Sequence, residues 1–178
     1  MIELKISRQT FDFDCGAKAL QTVLAYYGVE MREDALIKEL GADDEGTPPD
    51  RMVAVAVAKG FNVDARACFS LDEVKAYVDQ GHPVIVLLQA WADRYMTLDD
   101  WAEDYDDGHY AIVIGHVGSV IIFEDPASFR RTWLTDEEFL VRWHDMHPHT
   151  KQRHRCFGIV LLGREPVVSD QEHARHMD

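Results

Sequence analysis

In the first half of the chain, hydrophobic residues recur at the three- and four-residue spacing that is typical of helices. Gly28 is a stop signal for the first helix, Thr47-Pro-Pro-Asp50 is a start signal for the third, and Ser70-Leu-Asp-Glu73 is a capping box that starts the fourth. Four helices are predicted in this way, at about residues 15–27, 33–40, 52–59 and 71–80. We therefore expect the first half to be mainly helical.

The second half changes to continuous apolar runs of strand length. Two of these runs, Tyr110 to His116 and Val120 to Glu124, flank Gly118 and predict a hairpin. A capping box that begins at Thr135 precedes an amphipathic helix to about residue 143. The other predicted strands lie at residues 61–67, 83–88 and 157–162. Helices followed by mostly antiparallel strands indicate an α+β fold of two packed layers, rather than a doubly wound parallel sheet.

Length and charge narrow the class of protein. The chain has 178 residues, and its composition predicts a single domain over residues 1–165 with a polar, flexible tail at 166–178. It carries 32 acidic residues against 18 Lys and Arg, a net charge of −14, which argues against nucleic acid or an anionic membrane surface as a partner. No secretory signal begins the chain, and its longest apolar run is about half of a membrane span. We expect a cytoplasmic protein without an integral membrane segment, of undetermined oligomeric state.

The three cysteines are odd in number and widely spaced, which favours reduced thiols over a disulfide framework. Cys68 and Cys156 lie in or beside apolar segments and are interpreted as small core residues. Cys15 opens the first helix, where the positive end of the helix dipole stabilises a thiolate. Asp14 or Asp12 would cap that helix, although either charge would oppose ionisation of the thiol. The alternative interpretation of Cys15 is a buried, inert residue of a core helix.

A cysteine nucleophile needs a base and a group that orients the base. His109 precedes one strand of the predicted hairpin, and Asp125 ends the other, so hairpin pairing brings the two side chains together. Gln9, on the segment that enters the first helix, has an amide that can donate a hydrogen bond to an oxyanion beside the backbone N–H of Cys15. Taken singly, these residues would be a loop histidine, an Asp-Pro turn and an ordinary glutamine.

Together, the segments resemble the peptidase C39 family over roughly residues 5 to 163. The resemblance is carried by the segment from Gln9 through Cys15-Gly to Leu20, then Val23 to Gly28, Gly46-Thr47, Gly81 to Val84, Gly108-His-Tyr110 and Asp125-Pro126. These are papain-like cysteine peptidases, known best as the domain that removes double-glycine leader peptides from bacteriocins. The resemblance implies a papain-like fold, with Cys15 as nucleophile, His109 as general base and acid, Asp125 as its orienting carboxylate and Gln9 as oxyanion donor. It implies a peptide or protein substrate and no cofactor.

Two other functions stay open. One is a thiol amidase or transpeptidase related to the phytochelatin synthases, and the other is a non-catalytic module that binds peptides. The best-known family members are fused to an ABC transporter, and no membrane or nucleotide-binding part is present in this sequence. Leader-peptide processing is therefore expected, but the sequence does not indicate how a leader peptide would be delivered to this domain.

Two charged segments have no assigned role. Residues 91–107 hold seven acidic residues and one arginine; they are either a solvated loop or short helix, or a lining of the cleft that favours basic substrates. Residues 142–155 are rich in histidine, and we interpret them as a basic loop that contacts the acidic segment or a partner. His144, His147 and His149 are the candidate metal ligands there, but Pro148 argues against one continuous helical face, and no metal is predicted.

Overall fold

The computed structural model describes residues 1–4, 8–11, 14–43, 46–147 and 150–167. Within these ranges the chain forms six helices and eight strands. The helices are α1 (Cys15–Tyr26), α2 (Glu33–Leu40), α3 (Pro49–Ala58), α4 (Leu71–Asp79), α5 (Leu98–Glu103) and α6 (Asp136–Arg142). The strands are β1 (Asn62–Arg66), β2 (Val84–Gln89), β3 (Gly108–Val117), β4 (Val120–Glu124), β5 (Thr132–Thr135), β6 (His144–Met146), β7 (Arg153–Arg155) and β8 (Gly158–Leu162). The α+β class is confirmed.

Six of the strands form one antiparallel sheet in the order β1-β8-β2-β3-β4-β5. Strand β2 is buried along its whole length, as its unbroken apolar run predicts. The predicted hairpin is confirmed: β3 pairs with β4, and Gly118 in the turn has a φ of +57°. The hairpin places the start of β3 near the end of β4, where the chain leaves the sheet.

Helix α1 is the central helix of the core. Its side chains Leu20, Val23 and Leu24 are fully buried, and the helix packs against β3. Asp14 occupies the N-cap position, but its side chain does not cap the helix as predicted. It accepts a hydrogen bond from the backbone N–H of Thr10 instead (3.1 Å), because the entering segment turns back over it. Asp12, the other predicted cap, lies outside the described residues.

The helix signals are confirmed at most positions. Ser70 and Thr135 form both halves of their predicted capping boxes. Thr47 does not cap α3, because the helix begins two residues later, at Pro49, and Pro48 occupies the N-cap position. The carbonyl of Thr47 instead accepts a hydrogen bond from the hydroxyl of Tyr110 (3.0 Å).

Several elements were not predicted. Strands β5, β6 and β7 are short, and their residues alternate too little to predict a strand. Cys68 is exposed, so its interpretation as a core residue is wrong, whereas Cys156 is half-buried and packs against the core. Both have left-handed backbone conformations, at the ends of the runs that become β1 and β8. No helix in the described part of the chain is long and apolar enough to cross a membrane.

Residue Val167 still contacts the domain, since its N–H donates to the carbonyl of Tyr26 at the end of α1 (2.9 Å). The rest of the predicted tail, residues 168–178, lies outside the described residues.

Candidate active site

Cys15 lies at the first position of α1 and is 7% exposed. Its neighbour Gly16 allows the helix to approach the sheet closely. A Cβ at that position would lie 2.7 Å from the Cβ of Thr47 and 2.9 Å from the Tyr110 ring. Glycine is therefore needed here so that α1 can pack closely against the sheet, and this packing sets the distance between the thiol and the start of β3.

His109 and Asp125 meet as the hairpin predicts. The Nε2 atom of His109 lies 2.8 Å from Oδ1 of Asp125, and both side chains are buried. The thiol of Cys15 interacts with the same imidazole. Because Nε2 is engaged by Asp125, Nδ1 is the nitrogen left for the thiol. The structure thus brings Cys15, His109 and Asp125 into one chain of contacts.

Asp125 is fixed by four donors, of which the sequence predicted only His109. Its Oδ1 also accepts from the N–H of Ala127 (2.9 Å), and its Oδ2 accepts from the indole N–H of Trp91 (3.1 Å) and the hydroxyl of Thr132 (3.3 Å). Trp91 has a φ of +66°, an uncommon conformation for a bulky residue. Trp91 stands at the start of the acidic segment. Its sequence context did not predict a contact with Asp125, which lies 34 residues further along the chain.

The electrostatics favour a charged imidazole. Burial lowers the pKa of His109, but the hydrogen bond to Asp125 and the interaction with Cys15 outweigh burial and raise it to about 9. For Asp125, burial raises the pKa, and the bond from His109 overcomes this effect, so that its pKa is lowered. The imidazolium and the carboxylate therefore stabilise each other at neutral pH.

The segment that carries Gln9 is attached to the loop after Asp125. The N–H of Gln9 donates to the carbonyl of Pro126 (3.0 Å), and Arg8 donates to the buried carboxylate of Glu124 (2.9 Å). The amide oxygen of Gln9 is buried and accepts no hydrogen bond within the described part of the chain. The backbone of Gln9 is thus attached to the residue that follows Asp125, and no hydrogen bond among the described residues occupies its amide oxygen.

The histidine-rich segment folds into the β6-β7 hairpin, which was expected to be a loop. The Nε2 atom of His144 donates a hydrogen bond to the carbonyl of Trp101 (3.1 Å), while Arg142 and Arg153 stack on Trp101 and Tyr105. The basic segment therefore contacts the acidic one through aromatic rings. His149 lies outside the described residues, and within them no group of three His, Cys, Asp or Glu side chains is arranged to hold a metal.

Comparison with known proteins gives one family and one fold. The sequence model described as "Peptidase_C39 like family" matches residues 2–151. An uncharacterized protein of Methanothermobacter marburgensis is 33% identical over 103 residues, which cover 53% of this chain and 70% of the relative.

Two solved structures share the fold. The peptidase domain of Streptococcus ComA, a bifunctional ABC transporter of a quorum-sensing pathway, superposes with a TM-score of 0.66 at 22% identity, over 89% of this chain and 98% of that domain. A double-glycine-motif protease from an AMS/PCAT transporter, solved with its leader peptide, has a TM-score of 0.61 at 16% identity, over 89% and 91% of the two chains.

Proposed function

Since the chain belongs to the Peptidase_C39 like family, we propose that it is a cysteine peptidase whose nucleophile is Cys15. The observation that carries this proposal is the contact chain from the thiol through His109 to Asp125. A module that only binds peptides needs neither a buried His-Asp pair beside a thiol nor four donors on the carboxylate.

The reaction follows from the geometry. The Cys15 thiolate attacks the amide carbonyl, and a C–S bond forms while the carbonyl oxygen becomes an oxyanion. The backbone N–H of Cys15 and the amide of Gln9 donate hydrogen bonds to that oxyanion. The His109 imidazolium gives its proton to the leaving amine as the C–N bond breaks, and an acyl-enzyme remains.

Deacylation uses the same groups in reverse. Neutral His109 takes a proton from water, the resulting hydroxide attacks the thioester, and the C–S bond breaks as the thiol is restored. Asp125 holds the imidazole in the orientation that both steps require. The cycle involves no cofactor.

Leader-peptide removal is the first substrate class to test, because a leader peptide is bound by the double-glycine-motif protease that shares this fold. A cytoplasmic location, where thiols stay reduced, suits the three free cysteines. Cell fractionation with an antibody against the chain tests that location.

The test of the function is cleavage of a peptide mixture that includes a double-glycine leader peptide, with new termini identified by mass spectrometry. Wild type should generate new termini that Cys15→Ala does not. Cys68→Ala, which removes an exposed thiol away from the site, should cleave like wild type. If wild type binds peptides but produces no new termini, and Cys15→Ala binds them equally well, the protein is a peptide-binding module instead.

A further inference from the structure

A cavity of about 260 Å³ opens beside the Cys15 thiol and is distinct from the surface around His109. The loop before α3 and the start of β3 form two of its walls, and the β6-β7 hairpin forms the third. Its described lining comprises Cys15, Asp43, Gly46, Thr47, Pro48, Pro49, Leu87, Gly108, Tyr110, Asp145, His147 and His154.

Asp145 is fixed in this cavity by the strands beneath it. Its Oδ1 accepts a hydrogen bond from the buried amide of Gln89 (2.9 Å), and its backbone pairs with His154 across the hairpin. A Cβ at Gly108 would lie 2.8 Å from Oδ1 and 3.0 Å from Oδ2 of this carboxylate. The residue before His109 is therefore a glycine that leaves room for Asp145.

Asp145 has no ion-pair partner among the described residues, although His154 and His144 lie near enough to lower its pKa when they are charged. The described lining of the cavity contains no Lys or Arg. Burial raises the pKa of Asp145, whereas burial lowers the pKa of His154, which leaves that imidazole neutral at pH 7. An arriving cation would offset the cost of burying the carboxylate.

The acidic segment at residues 91–107 contributes no carboxylate to the described lining of the cavity. The carboxylates of that segment surround a separate surface depression near Arg94 and Tyr105. Two residues of this segment contact groups that hold the site in place: Trp91 donates to Asp125, and the N–H of Asp107 donates to Gln89.

The position of the cavity decides which part of a substrate enters it. The leaving amine must lie against His109, which protonates it. The cavity is lined by Cys15 but not by His109, which favours the acyl side of the scissile bond.

We propose that this cavity is a specificity subsite in which Asp145 binds a cationic side chain, lysine or arginine, one or two residues before the scissile bond, so that the preferred substrate differs at that position from a double-glycine leader. The proposal rests on the proposed peptidase function and names its substrate class. An uncharged side chain of the same length leaves the carboxylate unpaired.

The experiment uses peptidyl acyloxymethyl ketones, whose methylene carbon forms a C–S bond with Cys15 as a carboxylate leaves. Lysine and its uncharged isostere norleucine are compared at the first and the second residue from the ketone. The second-order labelling rate of Cys15 is read by mass spectrometry for wild type, Asp145→Asn and Asp99→Asn. Asp99 is an exposed carboxylate on α5, outside the cavity, and controls for overall charge.

We expect lysine to label at least about tenfold faster than norleucine at one of the two positions, on the scale of a hydrogen bond between charged groups. Asp145→Asn should abolish this preference and Asp99→Asn should keep it. Equal rates for lysine and norleucine at both positions in wild type would overturn the proposal, even if a substitution at 145 prevented folding. A Cys15 that reacts with none of these ketones would overturn the subsite, and a Cys15 that also fails to react with a reference ketone carrying glycine at both positions would refute the peptidase function.

Discussion

Replacing Asp125 by asparagine isolates the charge of the carboxylate from its geometry. The amide oxygen of asparagine can keep the two bonds that Oδ1 accepts, from Nε2 of His109 and the N–H of Ala127. The amide NH₂ then replaces Oδ2 and faces the indole N–H of Trp91, so that one hydrogen bond is lost. The hydroxyl of Thr132 can rotate to accept from the new NH₂.

The expected effect is on the proton affinity of His109. A neighbouring opposite charge raises the pKa of a histidine by about 1–3 pH units, so the pKa of His109 should fall from about 9 by that amount. Each pH unit corresponds to about 1.4 kcal/mol of imidazolium stabilisation.

The same shift makes stability depend on pH. Folding raises the pKa of His109 from 6.5 to about 9, so its stabilisation is fully present below pH 6.5 and is lost as the pH rises through about 9. The free energy of unfolding of wild type should therefore fall across this window, and that of Asp125→Asn should fall less.

The assay is an NMR titration of the His109 ring in both proteins, with urea unfolding at pH 6 and pH 9.5. Asp79→Asn is the matched control, because Asp79 pairs with a histidine, His116, on the exposed surface. It should leave the His109 titration unchanged. An unchanged titration of His109 in Asp125→Asn would refute the electrostatic account of the pair.

Three further substitutions test separate parts of the structure. Gly16→Ala should destabilise the fold by about 1–3 kcal/mol through its clash with Thr47, despite the better helix propensity of alanine. The same substitution should slow alkylation of Cys15. Urea unfolding that matches wild type would contradict this packing. Trp91→Phe removes one donor to Asp125 at an exposed position, and should lower cleavage several-fold with little change in melting temperature. Ser70→Ala should cost about 1 kcal/mol of stability through the lost cap and leave alkylation unchanged, and altered alkylation would show that the two regions are coupled.

Local signals predicted most of the fold. Helix α2 begins and ends where the periodicity and Gly41 place it, because a left-handed glycine stop leaves little choice to the backbone. The β3-β4 hairpin was predictable for a similar reason, since two apolar runs flank a glycine turn. His109 and Asp125 could be paired from the hairpin alone.

The unpredicted features depend on contacts between distant segments. Strands β6 and β7 form only as a pair, and neither has a pattern of its own. Trp91 and Asp145 reach the site from segments that looked like solvated or basic loops, and nothing local marks either residue as a neighbour of Cys15 or His109. The exposed position of Cys68 likewise follows from a turn that its apolar neighbours do not signal.

The most direct test of the peptidase account is the rate at which iodoacetamide alkylates Cys15 at pH 6, measured for wild type and His109→Ala by mass spectrometry of the peptides. Cys68 is an internal control, because it is exposed and away from the site. An imidazolium-paired thiolate predicts that Cys15 reacts faster than Cys68 at this pH and slows at least about tenfold in His109→Ala. A Cys15 that reacts no faster than Cys68, or equally fast in both proteins, would contradict the account.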